Sequence, residues 1–405
     1  MTTVPSRPRA ARFATFMFFG LNGFGMGMWV VHIPEIERAT GISHSTLGAL
    51  LLVLGGAAFA GMQVAGPLVD RLGHRRMVPA AGVLLGLALC APGFANSWWT
   101  LGLGLAGFGF GNGAIDVGMN SHAVVVERAY PRPIMAAFHA MWSIGGAIAA
   151  VIGAATLGAG VPTGVTLTGT GLFCVLLSVV TARFLMEPAA VPSTDASSAA
   201  VPSAEPEPVA RRRTPGRTVW LLGLLALALM LSEGVANDWA ALHMEKVLGT
   251  SASTAALAYG AFAVAMTTGR FLTDRVAAWA GPAAIVRYGA TLAAVGLTTA
   301  AAAPWVPLSL VGWALFGLGL SGGVPQLFTA AGNLDTRASG ALMARVVGLG
   351  YVGLLAGPAL IGGLTRWMPL NVTFGVPVVL CVLAAVFAGV LSPKPEPAEQ
   401  PISAS

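Results

Sequence analysis

Charged side chains are scarce in this sequence. Only 9% of the 405 residues are charged, whereas 56% are hydrophobic, and soluble domains carry about 25% charged residues. A soluble fold with this composition would expose large apolar patches, but a bilayer solvates apolar side chains that face outward. The composition therefore excludes an ordinary soluble protein and indicates a membrane protein.

The sequence also lacks the patterns that most metals and cofactors need. Its cysteines, Cys90, Cys174 and Cys381, lie inside apolar runs, and its six histidines show no metal-binding spacing. There is no Walker loop, and two Gly-x-Gly-x-x-Gly matches, at 102–107 and 348–353, follow no strand. Basic residues lie in short loops, which argues against nucleic-acid binding despite a pI near 9.8. We therefore expect no cofactor, no metal and no enzyme activity.

Apolar stretches of about 20 residues recur along the chain, which is the length that a helix needs to cross a bilayer. The 53 glycines agree with this, because small residues let transmembrane helices approach closely. The pattern predicts an all-α membrane protein with twelve transmembrane helices. They are expected at residues 13–33, 45–69, 77–95, 99–126, 134–157, 165–186, 218–242, 253–278, 282–302, 306–331, 340–366 and 370–391.

The basic residues predict the orientation of these helices. With a cytoplasmic amino terminus, all of the 22 lysines and arginines except Arg38, Lys246 and Arg366 fall on the cytoplasmic side. This count places Arg270 at the cytoplasmic end of the eighth helix. Such a bias is the usual signature of membrane topology. We expect a multi-pass protein of the inner (plasma) membrane with both termini in the cytoplasm.

One internal region differs from the apolar pattern. From Glu187 to Arg217 the chain is rich in Pro, Ala, Ser and Glu, with too few apolar residues to fold alone. The predicted organisation is an amino-terminal six-helix bundle (1–187), a flexible cytoplasmic linker (188–217), a second six-helix bundle (218–391) and a disordered cytoplasmic tail (392–405).

Residues 66–76, GPLVDRLGHRR, end the second predicted helix, and a partial copy, Asp274-Arg275, ends the eighth. The segment resembles the signature of the major facilitator superfamily, which implies two six-helix bundles related by pseudo-two-fold symmetry around a central solute site. An acid beside arginines at a helix end can make charge-assisted contacts that break when a gate opens. The candidate gating residues are Gly66, Asp70, Arg71, Gly73, Arg75, Arg76, Asp274 and Arg275.

Three further segments resemble the YbjJ-like and MosC-like branch of that superfamily. The first is residues 29–36 (WVVHIPEI), and the third is residues 233–239 (EGVANDW). The second, residues 116–140, contains DVGMN at 116–120, Glu127-Arg128, and FHA at 138–140. The resemblance extends over both halves of the chain. It implies a transporter, but it implies no particular substrate.

Polar residues inside a span are costly and therefore are candidates for function. Asn112, Asp116 and Asn120 are spaced i, i+4, i+8, which places them on one face of the fourth helix. We expect this face to line the central cavity, with Asp116 as a candidate proton carrier. The alternative is that these side chains only join neighbouring helices.

The seventh helix carries a second polar group. Glu233 and Asn237 share a face, with Asp238 and Trp239 beside them. Glu233 lies near mid-depth, where a carboxylate can bind and release a proton. His139 and Arg345 are candidate counter-charges to Asp116 or Glu233, or ligands of an anionic group, although both could instead reach the membrane interface. Further polar residues inside spans are Asn22, Gln63 and Gln326.

The function that these features favour is secondary transport by alternating access. A single chain in the bilayer would move a small polar organic solute, with protons as the coupling ion. The alternative is a drug/proton antiporter that exports lipophilic cations. The Gly-Pro motif of such antiporters has a counterpart at Gly357-Pro358, but in the other half of the chain, which argues against this alternative.

Overall fold

The structure is a computed structural model that describes residues 6–188 and 216–392. Within these ranges the chain forms twelve long helices and no strands. The first six are α1 (Ser6–Thr40), α2 (His44–Leu72), α3 (His74–Cys90), α4 (Trp98–Glu127), α5 (Met135–Gly158) and α6 (Thr163–Ala182). The others are α7 (Gly216–Leu248), α8 (Ala252–Ala280), α9 (Pro282–Ala302), α10 (Val306–Leu334), α11 (Ser339–Leu364) and α12 (Leu370–Leu391).

Every predicted span coincides with one of these helices, so the all-α, twelve-helix prediction is confirmed. Eleven helices of the described ranges are long and apolar enough to cross a membrane. The remaining one, α4, has 30 residues, or about 45 Å at 1.5 Å per residue. The predicted linker and tail lie almost entirely outside the described residues.

Two helices are interrupted. In α10 the first segment ends at Leu320 and the second begins at Gly323. A Cβ atom on the intervening Gly322 would lie 2.6 Å from a methyl group of Ile285, so only glycine allows this close contact. Pro325, which has no N–H to donate, lies in the first turn of the second segment, where none is needed. In α12 a short turn precedes the main segment Gly375–Phe387.

Helices α1–α6 pack with one another, and so do α7–α12. Glycine allows the closest contacts: Gly113 of α4 lies against the backbone of Ala58, and Gly145 of α5 against that of Gly20. Large apolar side chains on the outer surface, such as Leu103 and Val264, are 68% exposed. These outward faces are the surfaces that lipid would cover.

The two groups of helices contact each other mainly through α2 with α11 and α5 with α8. We call the end of the protein where α2 ends and α5 begins the closed end. At that end and toward the middle of the helices, hydrogen bonds join the two groups. The opposite end, where α1 ends and α2 begins, is called the open end.

Candidate functional site

A chain of hydrogen bonds joins three helices of the first half near the middle of the protein. The indole N–H of Trp142 in α5 donates to Asn22 Oδ1 of α1 at 2.7 Å, and Asn22 Nδ2 donates to Asn112 Oδ1 of α4 at 2.8 Å. Asn22 and Asn112 are 1% and 3% exposed, whereas Trp142 is 37% exposed. Two buried amides thus fix the orientation of an aromatic ring that remains accessible. Trp142 was not among the sequence candidates, although an indole in a span needs a hydrogen-bond partner.

One turn along α4, Asp116 extends this polar group. Asn120 Nδ2 donates to the Asp116 carbonyl at 2.9 Å and to its Oδ1 at 3.2 Å. The phenol of Tyr351, from α11 in the other half, lies beside Asp116 and Asn112. Asp116 Oδ2 has no hydrogen-bond partner in the described ranges, and no basic side chain there pairs with the carboxyl group. A carboxylate without a counter-charge is costly in such a place, so this group is suited to bind a proton or a ligand.

The second acid, Glu233, lies midway along α7 and is paired. Glu233 Oε1 lies 3.5 Å from Arg270 Nη2, and Arg270 Nη1 donates to Ser143 Oγ of α5 at 2.7 Å. The side chains of Arg270 and Glu233 are 11% and 22% exposed. Arg270, which the charge count places at the cytoplasmic end of the eighth helix, lies inside α8 and links the two halves.

The predicted counter-charges occupy other places. His139 packs with its ring 5.2 Å from that of Phe19 and 5.9 Å from that of Phe328, and its Nε2 has no hydrogen-bond partner in the described ranges. Arg345 is exposed and makes no ion pair within these ranges. Within the described ranges Glu233 pairs with Arg270 and with neither of these residues, so a role of His139 or Arg345 beside Asp116 or at an anionic group stays a prediction.

The remaining candidates of α7 are divided between two environments. Asn237 and Asp238 are exposed, and Tyr259 of α8 lies near Glu233 and Asp238. Trp239 instead donates from its indole N–H to the carbonyl of Pro358 at 3.2 Å, within the second half. The structure thus places Trp239 in a contact between α7 and α11.

At the closed end, Asp70 caps a helix of the opposite half. Its carboxylate accepts from the backbone N–H groups of Gly340 and Ala341 at 2.7 and 2.9 Å, in the first turn of α11. These N–H groups have no partner within the helix, and the helix dipole favours an anion there. Gly66 lies one turn earlier in α2, where an added Cβ would lie 2.6 Å from Ala344 Cβ. The α2–α11 contact therefore requires both the acid and the glycine.

Asp274 makes the matching contact from the second half of the chain. It accepts from the N–H groups of Ala136 and Ala137, in the first turn of α5, at 3.0 and 2.8 Å. Asp274 is 9% exposed, whereas Asp70 is exposed. Each half therefore caps a helix of the other with an aspartate.

Two adjacent residues at the end of α4 add further contacts across the closed end, and the candidate set omitted them. Glu127 accepts from the N–H groups of Ile134 and Met135 through Oε1, and from the hydroxyl of Thr329 in α10 through Oε2 at 2.7 Å. Arg128 donates to the Asn333 side chain at 2.6 Å, at the end of α10. In the sequence, the acid next to a base at the end of the fourth span, Glu127-Arg128, is the feature that could have identified these two residues.

The other signature residues lie within the first half or in solvent. Glu187 accepts from the backbone N–H groups of His74 and Arg75 at 3.0 and 2.8 Å, and Arg75 Nε donates to the carbonyl of Leu185 at 2.9 Å. Burial raises the pKa of Glu187, but the hydrogen bonds from His74 and Arg75 outweigh it and lower the pKa to about 2. Gly73 has a positive φ of 81° where α2 turns into α3. The exposed side chains are Arg71, Arg76 and Arg275.

Two six-helix groups that share a polar centre and close at one end define the fold of a membrane transporter. The chain belongs to the Major Facilitator Superfamily, whose sequence profile matches residues 15–334. This confirms the resemblance carried by residues 66–76.

Relatives cover nearly the whole chain. An uncharacterized MFS-type transporter of Yersinia pestis is 32% identical over 375 residues, which are 93% of this chain and 94% of that protein. The membrane protein MosC of Rhizobium meliloti is 30% identical over 404 residues, which are 98% of this chain and 94% of MosC. The predicted branch of the superfamily is thus matched by a relative.

Solved structures show the same fold at low identity. The transporter FucP in the outward conformation has a TM-score of 0.76 at 16% identity, covering 94% of this chain and 98% of FucP. The proton:xylose symporter XylE has a TM-score of 0.72 at 13% identity, covering 95% and 96% of the two chains. At these identities the similarity concerns the fold alone.

Proposed function

We propose that this superfamily member is a proton-coupled symporter that moves a small polar organic solute across the inner membrane as a monomer. The observation that carries the proposal is the polar centre between the halves. There Asn112, Asp116 and Tyr351 meet next to the Glu233–Arg270 pair. A polar solute would gain hydrogen bonds from these groups that lipid cannot offer.

The accessible ring of Trp142 supports a solute with one apolar face. Its indole N–H is already bonded to Asn22, so the ring is held in place before a solute binds. Preorganised groups of this kind reduce the entropy that binding costs. The unpartnered Oδ2 of Asp116 would accept a hydrogen bond from the solute or hold the coupled proton.

The contacts at the closed end support alternating access. We propose that this end faces the cytoplasm, as the distribution of basic residues predicts, so that the described state opens outward. Two bundles, residues 1–187 and 218–391, would move against each other, with residues 188–217 as the linker. Rupture of the Asp70 and Asp274 caps would open the cytoplasmic side.

The first experiment is a search for the solute by thermal stability. The purified protein is melted with sugars, polyols, organic acids, amines and, separately, lipophilic cations. A ligand at 100 times its dissociation constant stabilises the folded state by about 2.7 kcal/mol, which gives a measurable rise in melting temperature. A rise with a polar solute supports the proposal, whereas a rise with lipophilic cations alone would favour the drug/proton antiporter.

Uptake into proteoliposomes then tests the coupling. An inward proton gradient should accelerate uptake of the stabilising solute, and Asp116→Asn or Glu233→Gln should abolish that acceleration. Glu245→Gln is the matched control, because Glu245 lies on the same helix as Glu233 but pairs only with Lys246 in the described ranges. Proton coupling is refuted if uptake ignores the gradient, or if both core variants respond as the wild type does.

A further inference from the structure

The two halves of the repeat differ at one position that faces the other half. Asp70 and Asp274 make equivalent caps. Four residues before each, at the same register one helical turn away, α2 has Gly66 whereas α8 has Arg270. The smallest side chain on one side of the closed end is thus matched by one of the largest on the other.

The consequences of this difference are visible in the contacts. At Gly66, α2 and α11 pack so closely that a methyl group would lie 2.6 Å from the carbonyl oxygen of Gly340. At Arg270 the space between α5 and α8 is filled by a guanidinium group. That group contacts Ser143 on one side and Glu233 on the other. At this register, one turn before the aspartate caps, the α2–α11 contact is therefore steric, whereas the α5–α8 contact involves a charge.

We infer that Arg270 couples the protonation of Glu233 to the opening of the α5–α8 side of the closed end. The inference rests on the proposed proton-coupled transport and identifies a positioning residue for it. While Glu233 is ionised, it balances the charge of Arg270, and the guanidinium group is free to donate to Ser143 across the halves. The contact between α5 and α8 is then stable.

Protonation of Glu233 removes that balance. A proton taken from water at the open end leaves the guanidinium group without a counter-charge, at a site where its side chain is 11% exposed. A buried charge that loses its partner is strongly unfavourable. Separation of α5 from α8 would admit water to Arg270, and the proton would then leave Glu233 on that side. The ion pair would form again as the closed end closes.

Other titratable groups face this pair and need controls. They are Tyr259 on α8, Tyr351 on α11 and His139 on α5, and Asp238 on α7 lies near Tyr259. Arg270 Nε has no hydrogen-bond partner in the described ranges. Arg270 and a protonated His139 carry charges of the same sign, so His139→Gln is included as a background variant.

Distances between spin labels test the inference without any solute. In a background with Cys90, Cys174 and Cys381 replaced by alanine, cysteines at Pro131 and Ala278 report the α5–α8 side. Cysteines at Leu72 and Thr336 report the α2–α11 side in a second protein. All four label positions are exposed, and double electron–electron resonance gives the ratio of long to short distances.

Glu233→Gln should raise the ratio of open to closed α5–α8 distances by about tenfold or more. The reason is that loss of a buried ion-pair partner costs more free energy than a tenfold shift in an equilibrium constant requires. Arg270→Met should abolish the effect. The single variant Arg270→Met and the double variant Arg270→Met/Glu233→Gln should therefore have the same ratio of open to closed distances. Arg270→Lys, which keeps the charge, should preserve the response, as should His139→Gln.

Two results would overturn the inference. One is an unchanged α5–α8 distance in Glu233→Gln. The other is an equal response to Glu233→Gln with and without Arg270. Because no solute is present, either result would leave the uptake experiment unaffected, and a failed uptake experiment would leave these distances unaffected.

Discussion

The aspartate caps at the closed end lead to a quantitative prediction about its two sides. Asp274→Asn should weaken the α5–α8 side more than Asp70→Asn weakens the α2–α11 side. Both acids accept two backbone N–H groups, but Asp274 is 9% exposed, whereas Asp70 is exposed. Water therefore replaces the contacts of Asp70 more readily.

The magnitude follows from what asparagine retains. Its Oδ1 still accepts one N–H group, so one charge-assisted hydrogen bond is lost together with the attraction of the helix dipole. At Asp274 the sum is about 2 kcal/mol, which is about a 30-fold change in an equilibrium constant. At Asp70 solvent screening reduces the loss to about 1 kcal/mol or less, which is about fivefold.

Hydrogen exchange followed by mass spectrometry measures both sides in one sample. Amide exchange at Ala136 and Ala137 should rise about 30-fold in Asp274→Asn, and that at Gly340 and Ala341 about fivefold in Asp70→Asn. Asp335→Asn is the control, because Asp335 bonds only to a nearby backbone N–H in the described ranges. Equal increases in the two variants, or none in either, would refute the reasoning from burial.

Three further outcomes are expected. Gly66→Ala should lower the melting temperature because the methyl group would overlap Ala344, at a cost of about 1–3 kcal/mol, whereas Gly56→Ala, with open space around it, should not. Glu187→Gln should lower the melting temperature at pH 7. Since the Glu187 pKa is lowered from 4.5 to about 2, its stabilising effect is present above pH 4.5, and the gap from wild type should shrink between pH 4.5 and 2. Trp142→Phe should destabilise by about 1–3 kcal/mol, because Asn22 loses its donor, and more than Trp98→Phe at an exposed position; equal melting temperatures would contradict this.

The fold could be predicted from sequence because a bilayer imposes strong local constraints. Each crossing needs about 20 apolar residues with internally bonded backbone groups, and that requirement is visible in any stretch of the chain. The positions of all twelve helices followed from it. The family could be recognised because residues 66–76 form one continuous segment.

The candidate site was predictable only in part. The spacing of Asn112, Asp116 and Asn120 placed them on one face, and the structure brings this face to Tyr351 of the other half. The partner of Glu233 was not predictable, because the basic-residue pattern assigns Arg270 only to the cytoplasmic side and does not show which side chain of another helix it meets. Trp142 and Glu127 carried local signals, an indole inside a span and an acid–base pair at its end, but the local sequence does not show that their partners are Asn22 and Thr329 on other helices.

The sequence by itself determined the number of helices, their spans and the superfamily, because these depend on local hydropathy and contiguous motifs. The tertiary structure decided which charges meet. Arg270 reaches Glu233 and Ser143 only because α5, α7 and α8 converge between the halves, and Asp70 and Asp274 each cap a helix far away in the chain. Such contacts depend on how helices from different parts of the chain pack, and periodicity within one helix carries no information about its neighbours.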